Sequence, residues 1–313
     1  MPFSRRSVLA LAAFVGLSGV SSGAWSQASS PDNDYTPMSG QAGKDVVWVP
    51  TPDVVVERML QMAEVKAGDR VVDLGSGDGK IAIAAARIHG ARAWGLEYNP
   101  KMVALSNRLA REAGVADKVS FQEADIFKTD FSSATVVTMY LLPQLNLRLR
   151  PLLFAMAPGT RVVSHSFDMG DWLPDEFARA GTGQVYRWTI PANASGHWRL
   201  TAPRLARAPS TLEFTQKYQM LEGDARFEGL TARIVRPELS GDALSFGVRD
   251  TAGAMLRFTG KVSGNRIVGT VANGASAPVP FEAERTEAAQ PIAGVAPSEE
   301  EDGAALRALG ASQ

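Results

Sequence analysis

Residues 71–80 read Val71-Val72-Asp73-Leu74-Gly75-Ser76-Gly77-Asp78-Gly79-Lys80. A β-branched run ends in a turn with glycine at every second position, then enters an alanine-rich stretch with helical spacing over 80–89. Strand, tight turn and helix in that order open a parallel βαβ unit. Glycines in the turn let backbone approach a ligand closely at the carboxyl edge of the sheet. Outward from this point the pattern repeats. Strands are expected at 70–74, 91–97, 119–124, 135–140 and 161–165, with helices at 80–89, 100–113 and 145–156. Asn99-Pro100 supplies a cap followed by proline at the first helical position, and Gly90 and Gly114 stand where helices stop. The fold class that follows is α/β, a doubly wound, Rossmann-like sheet over residues 44–202, with 184–190 and 196–201 as a closing hairpin.

The ligand is constrained by the loop itself. A dinucleotide fingerprint has the spacing Gly-x-Gly-x-x-Gly and rests a pyrophosphate on the helix N-terminus. Here Gly75, Gly77 and Gly79 follow Gly-x-Gly-x-Gly, and Asp78 sits inside the loop, where its carboxylate repels a pyrophosphate. That disfavours a nicotinamide dehydrogenase. S-adenosylmethionine fits instead, because it has no phosphate and carries a cationic sulfonium and an ammonium. Gly75, Ser76, Gly77 and Gly79 would form its backbone cradle, and Asp73 would accept from its amino group. Glu97 ends the second strand, 18 residues beyond Gly79, where a carboxylate accepts both ribose hydroxyls. Asp125 ends the third strand and would accept from the adenine amino group, with Ile126 against the purine face.

Asp73–Gly79, Glu97 and Asp125 resemble motif I, the acid that follows it and the motif II acid of class I methyltransferases, over about residues 44–202. Val49-Pro50-Thr51-Pro52 and Tyr140-Leu141-Leu142-Pro143 further resemble a group of small protein-lysine methyltransferases that includes those acting on the ATP synthase c subunit. The resemblance implies methyl transfer from S-adenosylmethionine to an amine, with a protein as the methyl acceptor. Such a displacement needs alignment, exclusion of water and a neutral amine, and no nucleophile on the protein. Tyr140 and Asn146, with Pro143, are the candidate acceptor-side residues. Trp48 and Thr51 are expected to close over the methionine end of the cofactor; Thr51 reads equally as the cap of a helix beginning at Pro52. His165, with Asp168 nearby, reads either as a general base or as a satisfied structural histidine.

Composition sets the remaining bounds. Cysteine is absent, which excludes disulfides and thiolate chemistry, and the three histidines are too scattered to spell a metal site. With 32 basic and 33 acidic residues there is no global field toward nucleic acid. Residues 1–28 read as an export signal: Arg5-Arg6 resembles a twin-arginine leader, an apolar stretch follows, and Ser26-Gln27-Ala28 ends it. This predicts a periplasmic or cell-envelope location after a cytoplasmic stage, with membrane or envelope association through the leader or the C-terminal domain.

Residues 29–43 read as a linker. After Pro203 the texture alternates with period two, which predicts a small antiparallel β-barrel or sandwich over 208–287, followed by a mobile tail over 288–313. Gly196-His197-Trp198 resembles the Gly-x-Trp that opens lipocalin-like barrels, although Trp198 is placed here in the last strand of the first domain. The competing function is an exported, non-enzymatic envelope binding protein that retains the cofactor fold.

Overall fold

The computed structural model describes residues 35–296 except 46, 203–209, 228–229, 251 and 275. The expected export signal therefore lies outside the described residues. The first half runs α1 (Asp53–Met62), β1 (Arg70–Leu74), α2 (Lys80–His89), β2 (Arg92–Glu97), α3 (Pro100–Glu112), β3 (Val119–Glu123), β4 (Val136–Met139), α4 (Pro143–Phe154), β5 (Arg161–His165), β6 (Glu176–Ala180) and β7 (Gly183–Thr189). These strands form one sheet in the order β3-β2-β1-β4-β5-β7-β6. The β1, β2, β3, β4 and β5 pairings are parallel, while β7 runs antiparallel to both β5 and β6.

Burial on both faces follows from the two-residue period of the strands. Val71, Val136 and Val163 pack with α1, α2 and Ala110 of α3. Val72, Val137 and Val162 pack with Leu145, Leu149 and Leu153 of α4 on the opposite face. The chain leaves β1 for β2 and β3 on one side, then crosses from β3 to β4 on the other side of β1, and that reversal opens a crevice at the carboxyl ends of the central strands. The α3 cap forms as its sequence requires: Asn99 accepts from Lys101 N at 3.0 Å, with Pro100 behind it. Thr51 is not the cap of α1. That position belongs to Pro52, without a side-chain hydrogen bond.

The second half is β8 (Gly196–Thr201), β9 (Ser210–Lys217), β10 (Met220–Phe227), β11 (Leu230–Arg233), β12 (Val235–Ser240), β13 (Ala243–Arg249), β14 (Met255–Ser263), β15 (Arg266–Asn273) and β16 (Val279–Arg285). Among the described residues they form one antiparallel sheet, ordered β11-β10-β9-β8-β16-β15-β14-β13-β12. The edges β11 and β12 are consecutive in sequence, separated only by Ile234, whose N–H donates to Gly223 O at 2.9 Å. A bulge between Val235 and Glu238, with Arg236 at φ 48°, turns the chain from β10 toward β13. The sheet thus curls into a nearly closed barrel, and closure shields edges that would otherwise invite pairing. Its interior is filled by Trp198, Phe214, Phe246, Phe258 and Phe281.

Three expected boundaries move. Residues 196–201 do not close the first sheet; they pair with β9 and β16 and open the barrel. Trp198 is fully buried there, with the Arg285 guanidinium 4.1 Å from its ring. Residues 35–43, expected as linker, belong to a short hairpin in which Gly40 N donates to Trp48 O at 2.8 Å and Trp48 N to Gln41 O at 2.9 Å. Residues 288–296 are packed rather than a free tail: Ala293 bridges to Lys217, and Gln290 O accepts from Asn193 and Ser195. The rest of that expected tail lies outside the described residues.

Candidate active site

A cavity of about 310 Å³ opens at the carboxyl edge of β1, β2, β3 and β4. The expected residues Thr51, Asp73, Gly75, Ser76, Gly77, Glu97, Asp125, Ile126 and Tyr140 all line it. They converge because parallel strands end on the same edge, so successive strand-end acids face one crevice.

Asp73 lies deepest, 2 % exposed, and accepts from Thr138 Oγ1 at 2.8 Å. Burial pushes its carboxyl up to about 7, against the Thr138 hydrogen bond, and the negative charges of Asp78 and Glu97 push the same way. Glu97 accepts from Gly77 N through one oxygen and from Asn99 N through the other, both at 2.9 Å. The two bonds fix its plane and leave a free lone pair on each oxygen. Asp125 accepts from Phe127 N at 2.9 Å and from Lys44 Nζ at 2.9 Å. Those two bonds hold its carboxyl below the usual range.

The covering wall is the hairpin around Lys44 and Trp48. A Cβ on Gly77 would lie 2.5 Å from Trp48 Nε1, and Gly77 is itself left-handed at φ 54°. Only glycine admits Trp48 here. Gly79 plays a different part from the one expected. It caps α2 in the left-handed region, and a Cβ there would strike Phe121 rather than the cavity. It serves helix–sheet packing.

Tyr140, Leu142, Phe167 and Thr51 add an uncharged, partly aromatic set to the lining. The Tyr140 ring rests on the His165 ring with centroids 4.0 Å apart. His165 Nδ1 lies 3.4 Å from Thr51 Oγ1, and burial lowers its pKa to about 4. His165 lies outside the cavity lining and supports Tyr140 and Thr51 from beneath, which is the structural reading of this residue. Asn146 departs from expectation. It is fully buried outside the cavity lining and donates to the backbone carbonyls of Phe167 and Asp168, at 3.3 and 3.0 Å. From the first turn of α4 its side chain reaches the loop after β5 rather than an acceptor.

Sequence reasoning missed Lys44 and Phe167. Lys44 stands at the end of a polar stretch that gives no signal of tertiary contact. Phe167 stands two residues past the end of β5, a position from which a side chain reaches the crevice, and that signal was present.

The site fits S-adenosylmethionine on its own chemistry. Five carboxylates line one cavity, and the most deeply buried, Asp73, has no basic partner among the described residues, so a cationic ligand offsets the charge that burial disfavours. Asp73 would hold its ammonium, Glu97 its ribose hydroxyls, and Asp125 with Ile126 its adenine.

Comparison with known proteins agrees. The profile of the ANTKMT methyltransferase domain matches residues 73–176. A protein-lysine N-methyltransferase of Saccharolobus islandicus (strain REY15A) is 42 % identical over 142 residues, covering 45 % of this chain and 88 % of that protein. The chain belongs to this methyltransferase family. The adenine nucleotide translocase lysine N-methyltransferase of Mus musculus is 34 % identical over 142 residues, covering 45 % of this chain and 61 % of that protein. A solved structure described as an RNA methyltransferase from Salinibacter ruber in complex with S-adenosyl-L-homocysteine shares 56 % identity, covers 45 % of this chain and 94 % of that one, and has a TM-score of 0.45. By its family membership the protein is an S-adenosylmethionine-dependent methyltransferase, and the non-enzymatic reading has no support. The methyltransferase carries its barrel beyond the matched residues.

Proposed function

We propose that this methyltransferase N-methylates a lysine side chain of a protein, and that it does so in the cell envelope. The observation that carries the acceptor reading is the division of the cavity into an acidic end and an uncharged aromatic end. S-adenosylmethionine supplies a methyl group on a cationic sulfur. Asp73, Glu97 and Asp125 bind and orient it from the strand ends, and Trp48 covers the glycine loop. Tyr140, Phe167 and Leu142 form the wall an amine meets. Such surroundings strip water from an ammonium and lower its pKa, so lysine arrives there as the neutral nucleophile. His165, buried and neutral, keeps the Tyr140 ring in place and takes no proton. The proton lost by the acceptor passes to solvent. Relatives named for protein-lysine and adenine nucleotide translocase lysine acceptors support the same class of substrate. The envelope location rests on the leader reading of residues 1–28.

The test incubates the purified full chain with methyl-labelled S-adenosylmethionine and, separately, envelope and cytoplasmic extracts. Label is expected in an envelope protein and is recovered as methyllysine after hydrolysis. Label found in RNA, or in no macromolecule, would overturn the acceptor reading. Label confined to the cytoplasmic extract would overturn the location.

A further inference from the structure

The barrel reaches the methyltransferase domain through a hairpin tip, Lys217-Tyr218-Gln219, between β9 and β10. Tyr218 is 2 % exposed and left-handed at φ 55°, a conformation an aromatic residue keeps only where its surroundings hold it. Its ring lies among the core residues on the α4 face, with centroids 6.0 Å from Phe154 and 5.9 Å from Trp172. Its hydroxyl bonds to the Asp171 carboxylate and accepts from Arg150 Nη1 at 3.0 Å. Lys217 Nζ pairs with the other Asp171 oxygen at 2.9 Å. Gln219 accepts from Trp172 Nε1 and donates to Leu173 O, both at 2.9 Å.

The segment gripped by this tip begins in the active site. Phe167 lines the cavity beside Tyr140, at 6.2 Å between centroids. Between Phe167 and Asp171 the backbone is tied from beneath by α4. Asn146 donates to the carbonyls of Phe167 and Asp168, and Arg150 Nη1 donates to that of Met169 at 3.3 Å. Ser164 Oγ adds a bond to Phe167 O at 2.6 Å. Successive carbonyls are therefore held by side chains, and the far end of the run is held by the barrel.

We propose that the barrel braces the acceptor wall: Tyr218 is a positioning residue for methyl transfer, acting through Asp171 and Arg150 on the loop that carries Phe167. The inference rests on Phe167 and Tyr140 facing the acceptor. It gives the barrel, which lies outside the matched family region, a part in the reaction without a ligand of its own.

The test uses the full chain with Tyr218→Phe, which keeps the ring and removes the hydroxyl. Gln219→Ala, at a half-buried position, loosens the same segment should the first variant fold poorly. Amide hydrogen exchange over residues 167–173 is expected to rise roughly tenfold, equivalent to about 1.4 kcal/mol. Exchange in β1 and β4 stays as in the parent, and S-adenosylmethionine affinity by titration calorimetry stays within about twofold. With poly-L-lysine as acceptor, KM rises while cofactor affinity holds. Unchanged exchange over 167–173, a uniform rise across the chain, or a matching loss of cofactor affinity would each overturn the brace. The exchange measurement needs no acceptor, so a parent enzyme that ignores poly-L-lysine counts against the lysine reading alone.

Discussion

Asp73 joins stability to function in opposite directions. Its folded-state pKa of about 7 lies above the ordinary 3.8, so the folded chain holds that proton more tightly than the unfolded chain. Stability from this group is full below the ordinary value and is lost as pH rises toward 7, where it levels. Asp73→Asn keeps an acceptor for Thr138 and removes the charge. The unliganded variant is expected to melt several degrees higher at pH 8, for a gain on the order of a few kcal/mol, and to match the parent at pH 4. Cofactor affinity moves the other way, because the ammonium needs the carboxylate. In the parent, affinity falls as pH drops through 7, and in the variant it is weak throughout. Melting curves at the two pH values, with titration calorimetry beside them, check both halves. A variant that melts lower than the parent at pH 8 would refute the buried-charge argument.

At the scale of elements, the hairpin from Gly40 to Trp48 lies over the site from outside the parallel sheet. Lys44 ties it to Asp125, and its ammonium lies 4.8 Å from the Tyr98 ring. The Lys44 side chain is 35 % exposed and that of Asp125 17 %, so the pair contributes about 0.2–1 kcal/mol. Lys44→Ala is accordingly expected to speed cofactor dissociation by no more than about fivefold. The difference should shrink in high salt as the parent's ion pair is screened. Stopped-flow release of S-adenosylhomocysteine measures this, and a rate equal to or slower than the parent's would show that the hairpin does not retain the ligand. Trp48 against Gly77 is a packing contact, which salt does not screen.

For the whole molecule, the two sheets meet where Tyr218 of the barrel enters the α4-face core and its hydroxyl bonds to Asp171. Trp198 is buried in the barrel core, where its Nε1 donates to Ala194 O at 2.9 Å beneath the Arg285 guanidinium. Trp198→Ala removes the largest side chain of that core, at a cost of about 3–5 kcal/mol. Calorimetry should show barrel melting at lower temperature while cofactor affinity at 25 °C is retained, because no described barrel residue lines the cavity. Equal loss of cofactor affinity would mean that the first sheet depends on the barrel for its own fold.

The parallel sheet and most of the residues lining its cavity were legible in the sequence because they rest on local rules. Strand period, the glycine turn and the Asn99-Pro100 cap each act within a few residues, and parallel strands then bring Asp73, Glu97 and Asp125 to one edge without further information. The alternation of Gly196–Thr201 suits either sheet; pairing with β16, whose residues lie far along the chain, decides between them. Asn146 and Gly79 carry the residue types of a site, yet their side-chain surroundings depend on what packs opposite. Lys44 and Tyr218 owe their roles to partners distant in sequence. Sequence alone therefore determined the methyltransferase fold and its cofactor chemistry, whose signals are local and periodic. Tertiary structure alone decided what covers the cavity, what supports Tyr140 and how the barrel grips the acceptor loop, because each of these depends on long-range packing that no neighbouring residue encodes.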